Sequence, residues 1–206
     1  MAETSNPLAT KTVDLVQAKF GEAVLEVVEH RGETTIVLPP DKVPAVARFL
    51  RDHAALRYNF MADLTAVDWL EREPRYEVVY HLMSTETRAV LRLKTRVGQP
   101  GEEHPAVPTI STVWPTANWY EREVYDLFGI TFTGHPDLRR IVMPEDWTSY
   151  PLRKDYPLTG IGLPEPHWGG QVPLNQTLPE GIGRQTMRIN QSRPPTPPRP
   201  EPEPGE

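Results

Sequence analysis

The uneven distribution of proline is the feature that most constrains what this chain can fold into. Of its 24 prolines in 206 residues, 11 follow Ile161, in a stretch that is also rich in Gly, Arg and Glu. Such a stretch carries too little apolar surface to offset the entropy lost on ordering. We therefore predict one compact domain over residues 1–160, followed by a long extended tail over residues 161–206 that has no core of its own.

Charge and cysteine content exclude several classes of function. The formal net charge is −6, which argues against binding to a nucleic-acid backbone, and there is no cysteine. Without thiolates the chain has no disulfide framework, no cysteine nucleophile and no iron–sulfur cluster held by its own cysteines. No run approaches the ~18 apolar residues of a transmembrane helix, and the N-terminus lacks the layout of a signal peptide. We expect a soluble protein without a cluster of its own.

Helical and β patterns alternate in the first third of the chain. Lys11–Phe20 carries apolar residues at loosely helical spacing. Ala23–Val28 and Thr34–Leu38 are β-branched runs separated by a polar turn, which indicates a hairpin. Asp41 is then predicted to cap a helix that ends near His53.

The strand patterns in the middle of the chain predict the fold class. Phe60–Trp69 is mostly apolar but is interrupted by two aspartates, whereas Arg75–Met83 and Arg88–Val97 are clear strands joined by a short turn. Gly98–Val107 is predicted to be a loop. The last strand alternates apolar with basic side chains, as in a sheet with one face in water. These basic residues, which are simply solvated or else dock an acidic partner, are Arg88, Arg92, Lys94 and Arg96. The pattern predicts an α+β fold, with a mixed or antiparallel sheet and helices packed on one side.

A helix is predicted over Trp114–Gly129, or from near Ser111 with a break or kink at Pro115. Asn118 and Glu121 have the spacing of a capping box, and Gly129 suits the left-handed position after the last turn. Asp126 lies in that last turn, where a negative charge opposes the helix dipole by ~0.3–1 kcal/mol. A residue that violates a local rule is usually held by a tertiary partner. The candidate partners are Arg139, Arg140, Arg153 and Lys154.

The segment that follows the helix, up to Leu158, is unusually rich in aromatic side chains and prolines. A charge-rich stretch of this kind is by default a solvated helix followed by a polar loop. The aromatic and proline residues instead favour a rigid loop that presents Arg and Asp side chains for charge-assisted contacts. They are Trp147, Tyr150, Tyr156, Pro136, Pro144, Pro151 and Pro157.

The same stretch resembles the 30-kDa subunit family of respiratory complex I. The resemblance is carried by Glu121-Arg122-Glu123, Asp126-Leu127-Phe128, His135, Arg139-Arg140-Ile141-Val142, Pro144-Glu145-Asp146-Trp147 and Pro151–Leu158, with Asp63–Asp68 also similar. It implies a scaffold subunit in the hydrophilic arm of the proton-translocating NADH:quinone oxidoreductase. Such a subunit packs on the hydrogenase-like subunit at the quinone site and lies peripherally on the cytoplasmic face of the bacterial inner membrane.

The resemblance also implies that this chain holds no cofactor, with FMN and iron–sulfur clusters expected on partner subunits. Related subunits of membrane-bound hydrogenases and of dehydrogenases without an NADH module stay possible on the same residues. The high proline content and sparse Asn and Gln fit a thermophilic source. The residues expected to lie at subunit interfaces are Glu121, Arg122, Glu123, Asp126, His135, Arg139, Arg140, Asp146, Arg153, Lys154 and Asp155.

Other chemistry is less well supported by the residues. The glycine pairs at 160–162 and 181–183 lie in proline-rich sequence and not between a strand and a helix, which argues against NAD binding, and no histidine pair has metal-site spacing. The competing hypothesis is an acid–base enzyme that uses Glu121, Asp126 and His135. Glu121 and Glu123 diverge by ~200° on a helix and cannot flank one substrate. His135 is either a hydrogen-bonding loop residue or a proton relay at a subunit boundary.

Overall fold

A five-stranded sheet forms the centre of the domain. The computed structural model describes residues 7–145 and 147–157, so the predicted tail and the predicted boundary near residue 160 lie outside the described residues. The strands of this sheet are β1 (Glu26–His30), β2 (Glu33–Leu38), β3 (Phe60–Asp68), β4 (Tyr76–Met83) and β5 (Val90–Val97). They are arranged in the order β1-β2-β5-β4-β3. The sheet is mixed, because β2 and β5 are parallel and the other neighbours are antiparallel.

Alternation along β4 and β5 decides which face of the sheet is buried. Tyr80 lies opposite Leu93 on the buried face, whereas Glu77 lies opposite Arg96 on the other face. Because successive side chains of a strand point to opposite faces, this register places most of the apolar residues of both strands on one side. The predicted alternation is confirmed, although the strands begin at Tyr76 and Val90 and not at Arg75 and Arg88.

Within the described residues, three helices accompany the sheet: α1 (Pro7–Phe20), α2 (Val43–Asp52) and α3 (Ala117–Phe128), with 3₁₀ turns at Gly21–Ala23 and Pro40–Lys42. The apolar stripe of α2, formed by Val43, Val46, Ala47 and Leu50, is fully buried in the core with the apolar face of the sheet. The predicted α+β class with a mixed sheet and helices is confirmed. The first helix starts four residues earlier than the predicted Lys11, and the additional turn contributes the buried Ala9.

Two predicted helix caps are wrong. Asp41 lies inside the 3₁₀ turn and pairs with Lys42 at 2.9 Å, and no side chain caps α2. The capping box of Asn118 and Glu121 is also absent, because α3 begins at Ala117 and Glu121 accepts a hydrogen bond from the Ile110 N–H instead. In both cases the local sequence fits a helix cap, but the side chain binds another partner in the structure.

Different contacts determine where α3 begins and where it ends. The predicted start at Trp114 is wrong by one turn, because Trp114 belongs to the preceding turns, where its buried indole N–H donates to the Tyr58 carbonyl oxygen at 3.2 Å. Pro115 follows directly, and α3 begins two residues later. The predicted end is confirmed: Gly129 is in the left-handed region with φ 74°, and its N–H bonds to the Tyr125 carbonyl oxygen.

A second, two-stranded sheet flanks α3 in sequence. β6 (Ala106–Pro108) precedes the helix and β7 (Thr131–Thr133) follows it, and the two strands pair in parallel. β6 overlaps the segment predicted to be a loop over Gly98–Val107, since a strand of three residues is too short to show a period. The sheet brings the two ends of the α3 region together. After β7 the chain continues into residues 134–157, which we call the 134–157 loop.

The basic side chains of β5 are bonded to acidic side chains of their own sheet. Lys94 and Arg96 both bond to Glu77, at 3.0 and 3.1 Å, and Arg92 bonds to Glu33 on β2. The charges on this open face of the sheet therefore largely compensate one another. This arrangement favours the interpretation of a solvated face over that of a docking site for an acidic partner.

Candidate functional site

The carboxylate of Asp126 connects the last turn of α3 to the 134–157 loop. Its Oδ2 accepts hydrogen bonds from three consecutive backbone N–H groups, those of Ile141, Val142 and Met143, at 3.0, 2.7 and 2.8 Å. Its Oδ1 accepts a bond from Arg140 Nη1 at 2.6 Å. Of the four partners predicted for Asp126, the structure assigns the role to Arg140, and the backbone donors were not predicted.

Asp126 is fully buried yet remains ionised. Burial by itself would raise its pKa, but the Met143 N–H, the Arg140 guanidinium and the N–H groups of Ile141 and Val142 all favour the carboxylate. The net effect lowers the pKa of Asp126 below its usual value. The charge that is unfavourable for the helix dipole is therefore compensated by the loop.

Arg122, on the neighbouring face of α3, binds the same part of the loop. Its Nε and Nη2 donate to the backbone carbonyl oxygens of Arg139 and Arg140, both at 3.2 Å. The guanidinium also lies 5.1 Å from the centre of the Trp119 ring. Arg122 and Asp126 thus bind carbonyl and N–H groups of adjacent loop residues, which fixes the path of the loop along the helix.

A second buried aspartate holds the far end of the 134–157 loop. Asp68, at the end of β3, accepts bonds from Arg75 to both of its oxygens, at 2.8 and 2.7 Å, and from the Lys154 N–H at 2.8 Å. Arg75 also bonds to Asp155 at 3.0 Å. Burial opposes ionisation of Asp68, but these hydrogen bonds dominate and lower its pKa to about 2. The loop is therefore bound at both ends by ionised aspartates.

Arg153 joins the loop to the C-terminus of α3 through backbone carbonyl groups. Its Nε donates to the Phe128 carbonyl oxygen at 2.6 Å and its Nη2 to that of Glu103 at 2.7 Å. Its guanidinium stacks 4.4 Å from the Tyr150 ring centre. Both Arg153 and Tyr150 lie against Gly129, where a Cβ atom would come within 2.4 Å and 2.7 Å of them. Glycine at this position thus serves the left-handed backbone and the close packing of the loop together.

The side chain of Glu121 points into the interior and, unlike Arg122 and Asp126, does not bind residues 139–143. Its Oε1 accepts the Ile110 N–H at 2.7 Å and its Oε2 accepts the Thr109 hydroxyl at 2.5 Å. The buried His135 ring lies 3.9 Å from Oε2, and its Nε2 is 3.1 Å from the Asn118 carbonyl oxygen. Burial raises the pKa of Glu121 to about 7, despite the bonds from Thr109 and Ile110.

The remaining predicted residues face solvent or lie outside the described part. Glu123, Arg139 and Lys154 are exposed, and Arg139 pairs with Asp137 at 3.0 Å. Asp146 lies outside the described residues. The structure thus brings most of the predicted charged residues to α3 and its loop, and shows that several of them bind within this chain. The partnership of Asp68 and Arg75 was missed, and only the aspartate that interrupts an apolar strand pointed to it.

Apolar side chains face outward on the same part of the domain. Trp119 on α3 is 60% exposed and Val142 in the loop is 58% exposed, next to Ile141. Leu152 is also exposed, and its N–H bonds to the Leu127 carbonyl oxygen near the end of α3. Exposed tryptophan and branched apolar side chains on one helix and its loop are typical of a surface that binds another protein. We call Trp119, Ile141, Val142 and Leu152 the apolar surface.

Few features of the described part indicate catalysis or metal binding. A groove of about 550 Å³ is lined by residues 70–73, 75–76 and 98–103 with Arg153 and Asp155, and it contains none of Glu121, Asp126 and His135. Within residues 7–145 and 147–157, no three His, Asp or Glu side chains converge as metal ligands. In the same residues, no helix has the length and apolar character needed to cross a membrane. This groove therefore gives no support to the hypothesis of an acid–base enzyme, whose three residues lie outside its lining.

Fold and site together define a small α+β domain. Its charged motif, Arg122 and Asp126, binds its own loop, and its apolar surface faces outward. Residues 36–161 match the family described as "Respiratory-chain NADH dehydrogenase, 30 Kd subunit". The chain belongs to this family of respiratory complex I subunits.

Individual relatives agree with the family. The chain is 49% identical over 146 residues to an NADH-quinone oxidoreductase subunit of Roseiflexus sp. (strain RS-1), covering 71% of this chain and 82% of the relative. It is 46% identical over 170 residues to the corresponding NADH-quinone oxidoreductase subunit of Geobacter metallireducens, covering 82% and 98% of the two chains.

Two solved structures share the fold. One is a chain described as Nqo5 of the trypsin-resistant fragment (1-134), with a TM-score of 0.53, 33% identity and coverage of 64% of this chain and 99% of that one. The other comes from the membrane-bound sulfane sulfur reductase, an archaeal respiratory membrane complex. It has a TM-score of 0.57, 28% identity and coverage of 72% and 85% of the two chains.

Proposed function

We propose that this chain is a scaffold subunit of the hydrophilic arm of NADH:quinone oxidoreductase and that it packs on the hydrogenase-like subunit at the quinone site. In this role it supports electron transfer from NADH to quinone, coupled to proton translocation, while FMN and iron–sulfur clusters reside on partner subunits. It lies peripherally on the cytoplasmic face of the inner membrane. Membership of the 30-kDa family and the names of the relatives support this proposal.

One observation carries the proposed mode of packing: the apolar surface lies on the same helix and loop as the buried charged motif. Asp126 and Arg122 hold the loop along α3. Fixing the loop in the free chain means that little conformational entropy is lost when a partner covers Val142 and Trp119. The charged motif thus acts indirectly, by pre-organising the apolar side chains that we propose make the contact.

The proposed interface is tested with Trp119→Ala and Val142→Asp in the full-length chain, expressed with the other subunits of the complex. Removing a large interface side chain at a hot spot weakens binding by ~2 kcal/mol or more, about 30-fold. We expect both variants to recover less of the large hydrogenase-like subunit on affinity purification. We also expect membranes from cells that carry either variant to have lower NADH:quinone activity.

A matched control is Val90→Asp, because Val90 is also exposed but lies on the open face of the sheet. This variant should recover the large subunit as the wild type does. The circular dichroism of each purified chain checks that the fold is unchanged. Equal recovery of the large subunit by the wild type and by both apolar-surface variants would show that the interface lies elsewhere.

We also propose that residues 1–160 fold without the tail and that the tail contributes to assembly. The structural relative described as a trypsin-resistant fragment supports an independently stable domain, since that fragment covers most of the same fold. Ending the chain at Gly160 should leave the thermal unfolding transition of the domain in place and reduce incorporation into the complex. A truncated chain that is unfolded, or that assembles like the full chain, contradicts this division.

A related complex without an NADH module is the second candidate, supported by the likeness to the sulfane sulfur reductase chain. The higher identity to NADH-quinone oxidoreductase sequences, 49% against 28%, favours the NADH-linked complex. The two assignments differ in a simple readout. Membranes from a strain that lacks this chain should lose NADH:quinone activity, and retention of that activity would favour the second candidate.

A further inference from the structure

Glu121 is a fully buried carboxyl group with no fixed positive charge beside it. Among the described residues, its bonding partners are the Ile110 N–H and the Thr109 hydroxyl, and the nearest basic group is His135 at 3.9 Å. A buried carboxylate is stable only when it is paired or well bonded. The surroundings of Glu121 thus differ from those of Asp126, which has an arginine and three N–H donors.

Both ring nitrogens of His135 bond to backbone groups of the chain. Its Nδ1 accepts the Asp137 N–H at 3.0 Å, so Nδ1 has no proton, and Nε2 carries the proton toward the Asn118 carbonyl oxygen. Nε2 donates to the Asn118 carbonyl oxygen and not to Glu121, so the ring adds no hydrogen bond to the carboxyl group.

The other titratable groups around Glu121 do not compensate its charge either. Tyr80 of β4 faces it with a fully buried hydroxyl that has no hydrogen-bond partner in the described part of the chain, and the charge of Glu121 adds to the burial that raises the pKa of Tyr80. On its own helix, Arg122 and Asp126 bind residues 139–143 instead. An added proton is thus the simplest way to remove the buried charge.

Two hydroxyl groups connect Glu121 with the surface. Thr109 Oγ1 lies 2.5 Å from Glu121 Oε2 and 2.8 Å from Ser111 Oγ, and the side chain of Ser111 is partly exposed. Hydroxyl groups both donate and accept. When Glu121 is ionised, Thr109 donates to it; when Glu121 is protonated, its O–H donates to Thr109, which donates in turn to Ser111. Both protonation states are therefore hydrogen-bonded in the same geometry.

We propose that Glu121 is a buried proton-binding site, filled and emptied through Thr109 and Ser111, which takes up one proton from solution as the carboxylate becomes a carboxylic acid. The occupied site strengthens the contact between α3 and the connection from β6, since the carboxylic acid is the form that burial favours. The pKa of about 7 agrees with this assignment. The site adds to the scaffold role and does not depend on it.

The direct test follows the side-chain carboxyl carbon of Glu121 by NMR in the full-length chain labelled with ¹³C at the glutamate carboxyl. We expect a titration midpoint near pH 7 for Glu121. The Thr109→Val variant removes a bond that favours the carboxylate, so it should move the midpoint of Glu121 upward. A midpoint near 4.5 for Glu121 overturns the proposal.

An independent test uses stability. The native chain holds one proton more than the unfolded chain between the unfolded pKa of 4.5 and the folded pKa of about 7, so the unfolding constant should rise about tenfold per pH unit in this window. Glu121→Gln should lose this dependence, and Glu123→Gln should keep it. If Glu121→Gln keeps the slope, the proposal is wrong. If that variant does not fold, the titration of Glu121 in the wild type and in Thr109→Val decides the question.

Discussion

Arg140 Nη1 lies 2.6 Å from Asp126 Oδ1 and 3.0 Å from the Asp126 backbone carbonyl oxygen, so one nitrogen binds both the carboxylate and the C-terminal end of α3. The other end of the guanidinium donates to the Ser149 carbonyl oxygen at 3.2 Å. Arg140 thus neutralises a helix terminus that Asp126 alone would destabilise, and it joins two distant parts of the 134–157 loop.

Replacing Asp126 with Asn should destabilise the domain strongly. The amide can still accept at one oxygen, but its NH₂ group would meet backbone donors, and Arg140, whose side chain is only 12% exposed, would lose its anion. Breaking one partner of a buried ion pair costs roughly 3–5 kcal/mol. We expect the free energy of unfolding, measured with urea at pH 7.5, to fall by about 3 kcal/mol.

Asp137→Asn is the matched control for Asp126→Asn. Asp137 pairs with Arg139 at 3.0 Å, and both side chains are more than half exposed. Exposed ion pairs contribute little, so we expect a change within about 0.5 kcal/mol. Similar losses in both variants would mean that the bonds of Asp126 to residues 141–143 are not what stabilises the loop.

The packing of Gly129 predicts a second large effect. Gly129→Ala places a methyl group at φ 74° and within 2.7 Å of the Tyr150 ring, so backbone strain and a steric clash add. We expect a loss of roughly 1–3 kcal/mol in urea unfolding, with increased hydrogen exchange in residues 149–153. Gly21→Ala is the control, because nothing lies within 4 Å of a Cβ atom there. If the two variants are equally stable, the close packing at Gly129 does not contribute to the free energy of unfolding.

The outcome for Asp126 shows what local sequence patterns can and cannot predict. Its unfavourable position in the helix was visible from spacing alone, and so was the need for a partner in the following loop. The identity of the arginine that binds Asp126 depends on the path of the loop. So do the hydrogen bonds from the three backbone N–H groups. The contact between Lys154 and Asp68 spans 86 residues, and no local pattern reports a contact of that separation.

Glu121 shows how a correct spacing can mislead. Three residues separate it from Asn118, which fits a capping box, but its carboxylate binds Thr109 and Ile110, ten or more residues upstream. The contact exists because β6 and β7 pair in parallel and bring the preceding segment against α3. Strands of three residues leave no periodic signal, so neither the small sheet nor the interior position of Glu121 could be predicted from the sequence.

Replacing Arg75 with Lys should loosen the far end of the 134–157 loop. Arg75 binds both oxygens of Asp68 and also Asp155, and a lysine cannot reproduce this planar set of contacts. We expect a loss of about 1–3 kcal/mol in unfolding free energy and faster trypsin cleavage at Lys154. Arg72→Lys serves as the control, since Arg72 is exposed and stacks on Trp69, and it forms no ion pair with the described residues. Unchanged cleavage at Lys154 in Arg75→Lys would contradict the anchoring role of this pair.

The low pKa of Asp68 predicts a loss of stability in acid. Because the folded pKa is about 2 and the unfolded value is 3.8, the unfolded chain binds more protons in this window. The stabilisation from Asp68 is therefore complete above pH 3.8 and lost as the pH falls toward 2, by on the order of 2 kcal/mol. Asp68→Asn should be less stable than the wild type at pH 6 and should show a shallower loss of stability between pH 4 and 2.5 in urea unfolding. Exposed Asp41→Asn should keep the wild-type slope, and a wild-type slope in Asp68→Asn would show that the ionised Asp68 does not hold the loop.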